Sequence, residues 1–257
     1  MIHSPAFFAK FRPLQNLSSS LLKRYARAFK GRYSVEKRMG VRMLLDQTSV
    51  VDRHLLLRGT WEAEQIGFLA ELTRRQRGDG EKCVFLDIGA HGALYSLVLD
   101  RELGFDDIVA FEPAPVNLAQ LRANLLLNEC LDRVRVVEQA ISDREGFATF
   151  VVGNARNRGH SRILGGEVGS GETTMKVATT TIDALLDWRG ALVVAKIDVE
   201  GGELAVVKGM RGLLANNRAI LQIERNTGAL RDLTDALAPL GLNYVKSIDH
   251  DHYFVKG

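Results

Sequence analysis

Three residues, Asp87, Gly89 and Glu112, stand at a spacing suited to holding an adenosine. The run "CVFLDIGAHGA" is apolar up to an acid and then turns through small residues. Gly89 lets the backbone bend sharply and come close to a ligand, and the N-terminus of a following helix would offer unpaired N–H groups. A second apolar run, "DIVAFEP", ends in Glu112, twenty-five residues after Asp87. A carboxylate there can accept hydrogen bonds from two ribose hydroxyls, and Pro113 forces the chain out of its strand. Nicotinamide dinucleotides and S-adenosylmethionine both place a ribose against such an acid, so this spacing specifies adenosine and no more.

The acid in the first turn divides the two ligands. A carboxylate at Asp87 repels a pyrophosphate but attracts the sulfonium and amino group of S-adenosylmethionine. The turn also lacks a full Gly-x-Gly-x-x-Gly, because Ala90, His91 and Leu94 interrupt it. A methyl donor is therefore expected, with a nicotinamide-dependent dehydrogenase as the alternative.

Further along, "AKIDVEGGEL" places Lys196, Asp198 and Glu200 at the end of another strand. Asp198 is the first candidate for the base that removes an acceptor proton and Glu200 the second. Glu200 has a plain structural reading too, as a cap of a helix starting near Gly202. Lys196 is expected to orient Asp198 or an acceptor oxygen, since a Lys within such a strand is seldom surface decoration. His160 lies in a glycine-rich loop and titrates near neutrality when unperturbed, which suits a base or a substrate contact as well as a solvated side chain. Glu224, with Asp198 and Asn226, offers oxygen ligands at loose spacing. An ion pair to Lys196 or Arg225 is the favoured reading, so no metal is expected. Cys83 and Cys130 form no zinc-type cluster, and the terminal "IDHDHYF" supplies no third histidine.

The elements that must position these groups alternate. The runs "CVFLDIG", "DIVAFEP", "VRVVEQA", "ALVVAKIDV" and "AILQIE" are separated by helical patterns at "ALYSLVLDREL", "PVNLAQLRANLLLN", "TTIDALLDW" and "GGELAVVKGMRGLL". That rhythm predicts an α/β fold with a mainly parallel sheet. Near-continuous hydrophobicity in the strands predicts helices on both faces. "YVKS" and "HYFVK" predict a C-terminal antiparallel hairpin. Residues 153–174, with six glycines and three arginines, break the rhythm and are expected to be a loop insertion closing over the acceptor. Residues 1–78 are expected to be a basic helical extension, with a helix from Ser18 closed by Gly31 and another capped by Thr60, and 79–257 the catalytic domain.

In this order, "FLDIGAHGALYSL", "AFEPAPVNLAQLRANL", "QAISDREGFATF", "TTIDALL", "AKIDVEGGELAVVKGM" and "ILQIE" resemble the FkbM family of methyltransferases over about residues 83–224. "KIDVEGGEL" is the sharpest element, and "RGTWEAEQI" resembles the segment preceding the core in that family. The resemblance implies a Rossmann-like class I methyltransferase fold. It also implies O-methylation of a hydroxyl on a sugar, glycolipid or secondary metabolite. Cofactor contacts would fall at Asp87, Gly89, Ala90, His91, Glu112, Pro113, Gln139, Ala140, Ile141 and Asp198. Two positions depart from the family pattern: His91 stands where Asn is usual, and Ala93 where Gly is usual. Ala93 is tolerable there if its φ is negative.

Charge is unevenly spread. Residues 1–45 hold ten Lys/Arg against Glu36 alone, although the whole chain carries only +3. A basic, amphipathic arm suits peripheral attachment to an anionic membrane face, or packing on its own domain. Attachment alone would also describe a non-catalytic membrane-binding module. No run approaches the roughly 20 apolar residues of a membrane span, and two dispersed cysteines fit a reducing compartment, so a cytoplasmic location is expected. Nucleic acid is not an expected partner. No Asn/Asp-Pro-Pro-Tyr/Phe signature follows the fourth strand, and Asp198 with Glu200 would face the phosphates.

Overall fold

The computed structural model describes residues 32–152, 162–163, 173–225 and 228–257. The basic helix expected from Ser18, His160 with most of its loop, and Asn226 lie outside the described residues.

The elements run β1 (Tyr33–Arg38), β2 (Val41–Asp46), α1 (Val50–Arg58), α2 (Ala63–Gln76), β3 (Cys83–Ile88), α3 (Leu94–Leu103), β4 (Asp107–Phe111), α4 (Pro115–Leu127) and β5 (Val134–Val137). They continue with β6 (Ala140–Ile141), β7 (Gly146–Val152), β8 (Arg162–Ile163), β9 (Thr173–Thr180), α5 (Ile182–Leu185), β10 (Leu192–Ile197), α6 (Glu203–Gly209), α7 (Arg211–Asn216), β11 (Arg218–Glu224), α8 (Leu230–Leu237), β12 (Asn243–Ile248) and β13 (Asp251–Lys256).

Seven strands form one sheet in the order β12-β13-β11-β10-β3-β4-β5. The five from β11 to β5 are parallel, and the terminal hairpin β12–β13 adds antiparallel strands to β11. Alternation along β3 and β10 divides the core. Cys83, Phe85, Leu192 and Val194 face a cluster containing Leu69, Leu97, Leu99 and Leu121 of α2 to α4. Val84, Leu86, Ile88, Val193 and Ile197 face Val206, Leu213 and Leu233 of α6 to α8. Both sheet faces are thus covered, as the apolar strands require. The chain leaves β3 toward β4 and β5 on one side and returns through β10 to β11 on the other. The crevice at this reversal is where an open α/β sheet binds ligands.

Residues 33–46 differ from the helical reading. They form an antiparallel hairpin, Tyr33 opposite Asp46 through Arg38 opposite Val41, closed by Met39 and Gly40 at φ 48° and 86°. Two positive φ values match the two-residue turns that suit strand twist, and Val41, Met43 and Leu45 alternate into the α2–α4 side of the core. The second expected cap also moves. Helix α2 starts at Ala63 behind Glu62 at φ 46°, with no side-chain cap bond, because the chain reverses at Gly59 and sends Trp61 and Glu62 to a cavity. "GGELAVVKGMRGLL" makes two helices, parted where Gly209 passes so near the loop after β6 that a Cβ would lie 2.0 Å from Ser142 O. A separate four-stranded sheet, β6-β9-β7-β8, takes in residues 162–163 and 173–174 of the expected loop insertion, which are strand.

Candidate active site

Asp87, Lys196, Gln222 and Tyr253 occupy one register row across β3, β10, β11 and β13. All four are buried and belong by alternation to the α2–α4 side of the sheet. Such a row of polar groups is expensive unless partnered, and nearly every member is. Asp87 Oδ2 accepts from Ser96 N at 3.0 Å and Ser96 Oγ at 2.6 Å, which pins the start of α3 to the end of β3. Lys196 Nζ reaches Asp198 Oδ2 at 2.8 Å and Glu224 Oε2 at 3.6 Å and lies 4.8 Å from the centre of the Tyr95 ring. Gln222 Nε2 donates to Tyr95 Oη at 2.8 Å and to Asp251 Oδ1 at 2.7 Å. Tyr95 Oη in turn donates to Glu62 Oε2 at 2.7 Å.

Above this row opens a cavity of about 350 Å³ at the carboxyl ends of β3, β4 and β10, near the lower end of the roughly 300–1,000 Å³ typical of small-molecule sites. Every cofactor contact expected from the sequence lines it, from Asp87 through Gln139, Ala140 and Ile141 to Asp198, and so do Lys196 and Glu200. Gly89, at φ 87°, must be glycine for two reasons. L-residues avoid that conformation, and a Cβ would sit 1.8 Å from Asp198 O. The β3 and β10 ends can touch only because it has no side chain.

Glu112 is tied to the first turn. Its Oε2 accepts from His91 N at 2.9 Å and its Oε1 from Ala114 N at 2.8 Å. Burial pushes its carboxyl up, opposed by those N–H groups and by the His91 ring. The Asn117 side chain donates to the same carboxylate, which leaves about one of its four acceptor sites for a ligand hydroxyl.

The turn after β3 is strained. His91 has φ 47° and Ala93 φ 61°, so the negative φ on which the tolerance of Ala93 depends is absent. Left-handed backbone costs an L-residue roughly 1–2 kcal/mol, and Asn or Gly avoids most of it, so both departures from the family pattern fall on positions that favour the residue types replaced. His91 Nε2 is buried with no hydrogen-bond partner among the described residues. Glu200 is also in left-handed backbone, and the N-cap position of α6 is Gly202. Glu203 Oε1 takes the loop N–H of Gly201 at 2.6 Å.

Sequence reasoning missed the N-terminal side of the cavity. Asp52, Trp61, Glu62 and Tyr95 all line it. Asp52 is buried, accepts from Asp46 N and Gln120 Nε2, and burial raises its carboxyl while the His91 ring opposes that rise. The one available signal was "RGTWEAEQI", whose Trp61 and Glu62 are the lining residues. The ion pair favoured for Glu224 is present, and carboxylate oxygens of Glu62, Glu224 and Asp251 come within 4.8 Å of one another beside it. Burial alone would lower the Lys196 ammonium, but Asp198, Glu62, Glu224 and Asp251 together hold it well above its ordinary value.

The strand order, the reversal at β3 and β10, the antiparallel terminal hairpin and the acid-lined cavity define a Rossmann-like class I methyltransferase fold. Residues 87–241 match the model of the methyltransferase FkbM domain, and the chain belongs to that family. It is 28% identical over 153 residues to methyltransferase sdnD of Sordaria araneosa, covering 49% of this chain and 59% of that protein. Among solved structures it is similar to methyltransferase FkbM of Methylobacillus flagellatus, with 21% identity, a TM-score of 0.48, and coverage of 79% of this chain and 52% of that one. It is similar also to the N-terminal domain of human METTL16 in complex with SAH, with 16% identity, a TM-score of 0.42, and coverage of 74% and 67%. The chain thus spans little more than half the length of the first two relatives.

Proposed function

We propose that this chain transfers a methyl group from S-adenosylmethionine to a hydroxyl of a sugar, glycolipid or other small metabolite. The charge of the cavity carries the reading. Asp87 and Asp198 sit on either side of Gly89 at the β3 and β10 ends. A pyrophosphate would meet carboxylates there, whereas a sulfonium and an ammonium are attracted. Glu112 suits a ribose hydroxyl with the acceptor site it has left, and Gln139, Ala140 and Ile141 supply the wall beside it.

Bound there, the donor supplies an electrophilic methyl carbon on a positively charged sulfur. The chain's own residues have to align an acceptor oxygen with that carbon, and alignment can account for several kcal/mol of the barrier. Lys196 fixes the Asp198 carboxylate at the cavity edge. Asp198 and Glu200 are the candidates that meet the acceptor. Trp61 and Glu62 form the opposite wall. The basic segment 1–45 would bring the protein to an anionic membrane face where a lipid-linked acceptor resides, and sedimentation with anionic vesicles, with and without that segment, measures this.

The reaction is tested by mass spectrometry of small molecules and glycolipids from cells with and without the gene. A species heavier by one methylene in the first and missing from the second supports the reading. Identical profiles, with no label passing from methyl-labelled donor to an extract of the gene-less cells, contradict it.

A further inference from the structure

Glu224 ends β11 immediately beside the end of β10, one position past the Ile197–Ile223 pair. Among the described residues, charged groups face it from three strands and a helix start. Lys196 and Asp198 come from β10, Asp251 from β13 directly opposite it in register, and Glu62 from the start of α2. Arg225, next in sequence, pairs with Asp232 at 3.0 Å. Around the buried Lys196 ammonium stand four carboxylates, Asp198, Glu224, Glu62 and Asp251, with Asp87 next to Lys196 across the sheet. Among the described residues one ammonium stands against four carboxylates, which a half-buried site does not hold ionised at low cost. Either a proton or a second cation must join them.

We propose that Glu224 gives up a proton when the cationic methyl donor enters the cavity, and that the carboxylate so formed takes the proton of the acceptor hydroxyl. This rests on the methyl-donor reading above. Burial, then the Asp198 charge, push the Glu224 carboxyl up to about 8 despite Lys196, whereas Asp251 reaches about 6. Of these two, Glu224 is the one that holds a proton near neutrality. A further positive charge in the same cavity favours its ionised form as Lys196 does. In the transfer, the acceptor O–H bond breaks with its proton going to Glu224, and the oxygen bonds the methyl carbon. The carbon–sulfur bond breaks with its electron pair left on sulfur. Sulfur is then neutral, so the charge that kept Glu224 ionised is gone and its proton is retained. The base is charged only while an unreacted donor is in place.

Isothermal titration calorimetry of the full chain at pH 7.0, in two buffers of different ionisation enthalpy, counts the protons released on binding. S-adenosylmethionine is expected to release roughly half a proton or more, S-adenosylhomocysteine clearly less, and Glu224→Gln to bind the donor while losing most of the release. The ligand's own α-amino group titrates near 8, so the share of Glu224 is the difference between wild type and Glu224→Gln. Binding with equal release for both ligands in the wild type, or equal release in wild type and variant, overturns the proposal and leaves the methyl-donor reading intact. Should Glu224→Gln not fold, Glu224→Ala takes its place in that difference. No binding of either ligand overturns the methyl-donor reading itself.

Discussion

The backbone N–H of His91 donates to Glu112 Oε2 at 2.9 Å, so the turn after β3 and the acid after β4 are one unit. Whatever distorts the turn shifts the carboxylate. The two regions lie twenty-one residues apart in sequence, and mutations in either should act on the same ligand.

Gly89→Ala tests the close approach of β3 and β10. The added Cβ would meet the Asp198 carbonyl oxygen, a backbone atom, at 1.8 Å, in a conformation an L-residue disfavours. We expect a loss of about 3 kcal/mol or more in urea unfolding, together with loss of ligand binding. A change below about 0.5 kcal/mol would mean the strands are not apposed in this way.

Positions 91 and 93 test the strain of the turn. His91→Asn puts a residue tolerant of left-handed backbone at φ 47° and removes a buried ring nitrogen unpaired among the described residues. It is expected to stabilise by about 0.5–1 kcal/mol. Ala93→Val, at a fully buried site with φ 61°, is expected to cost more than about 2 kcal/mol. Chemical denaturation of both variants measures the pair, and the same sign of change in each would contradict the assignment.

Lys196→Met tests the ammonium among the acids. The methylenes are kept, but Asp198, Glu224, Glu62 and Asp251 lose their shared cation. Breaking a buried ion pair from one side typically costs about 3–5 kcal/mol. We expect that loss at pH 8 and a smaller one at pH 5, where protons can replace the ammonium. Equal losses at both values would show that the acids do not depend on Lys196.

Glu224 also gives stability a pH dependence of defined sign. Its folded value, about 8, lies above the ordinary glutamate value, so between roughly pH 4.5 and 8 the folded state binds the extra proton. The stability this confers is complete below that window and lost as pH rises through 8. The stability of Glu224→Gln relative to wild type should therefore climb steadily from pH 5 to 8 in urea titrations. A flat difference would place Glu224 outside the acid group.

The parallel core was legible because its strands, buried on both faces, leave long apolar runs, and because Asp87, Glu112 and Asp198 stand at or just past the carboxyl ends of theirs. The hairpin at 33–46 was not, since Met39 is an uncommon residue at positive φ and the basic charges mask the alternation of Val41, Met43 and Leu45. Asp52, Glu62 and Asp251 were missed because tertiary packing alone brings them to the site. In "IDHDHYF" the histidines drew attention, yet it is Asp251 that register places opposite Glu224. The distinction between Asp198 as an ion-pair partner and Glu224 as the proton holder depends on how many carboxylates share Lys196, which no linear spacing reveals.

Calorimetric titration of S-adenosylhomocysteine and of NAD into the wild-type chain and into Glu112→Ala tests the central claim most directly. The account predicts that S-adenosylhomocysteine binds the wild type, that Glu112→Ala binds it about 10–100-fold more weakly through the loss of charged hydrogen bonds, and that NAD gives no heat with either. Binding of NAD in place of S-adenosylhomocysteine, or S-adenosylhomocysteine binding unchanged by Glu112→Ala, would contradict it.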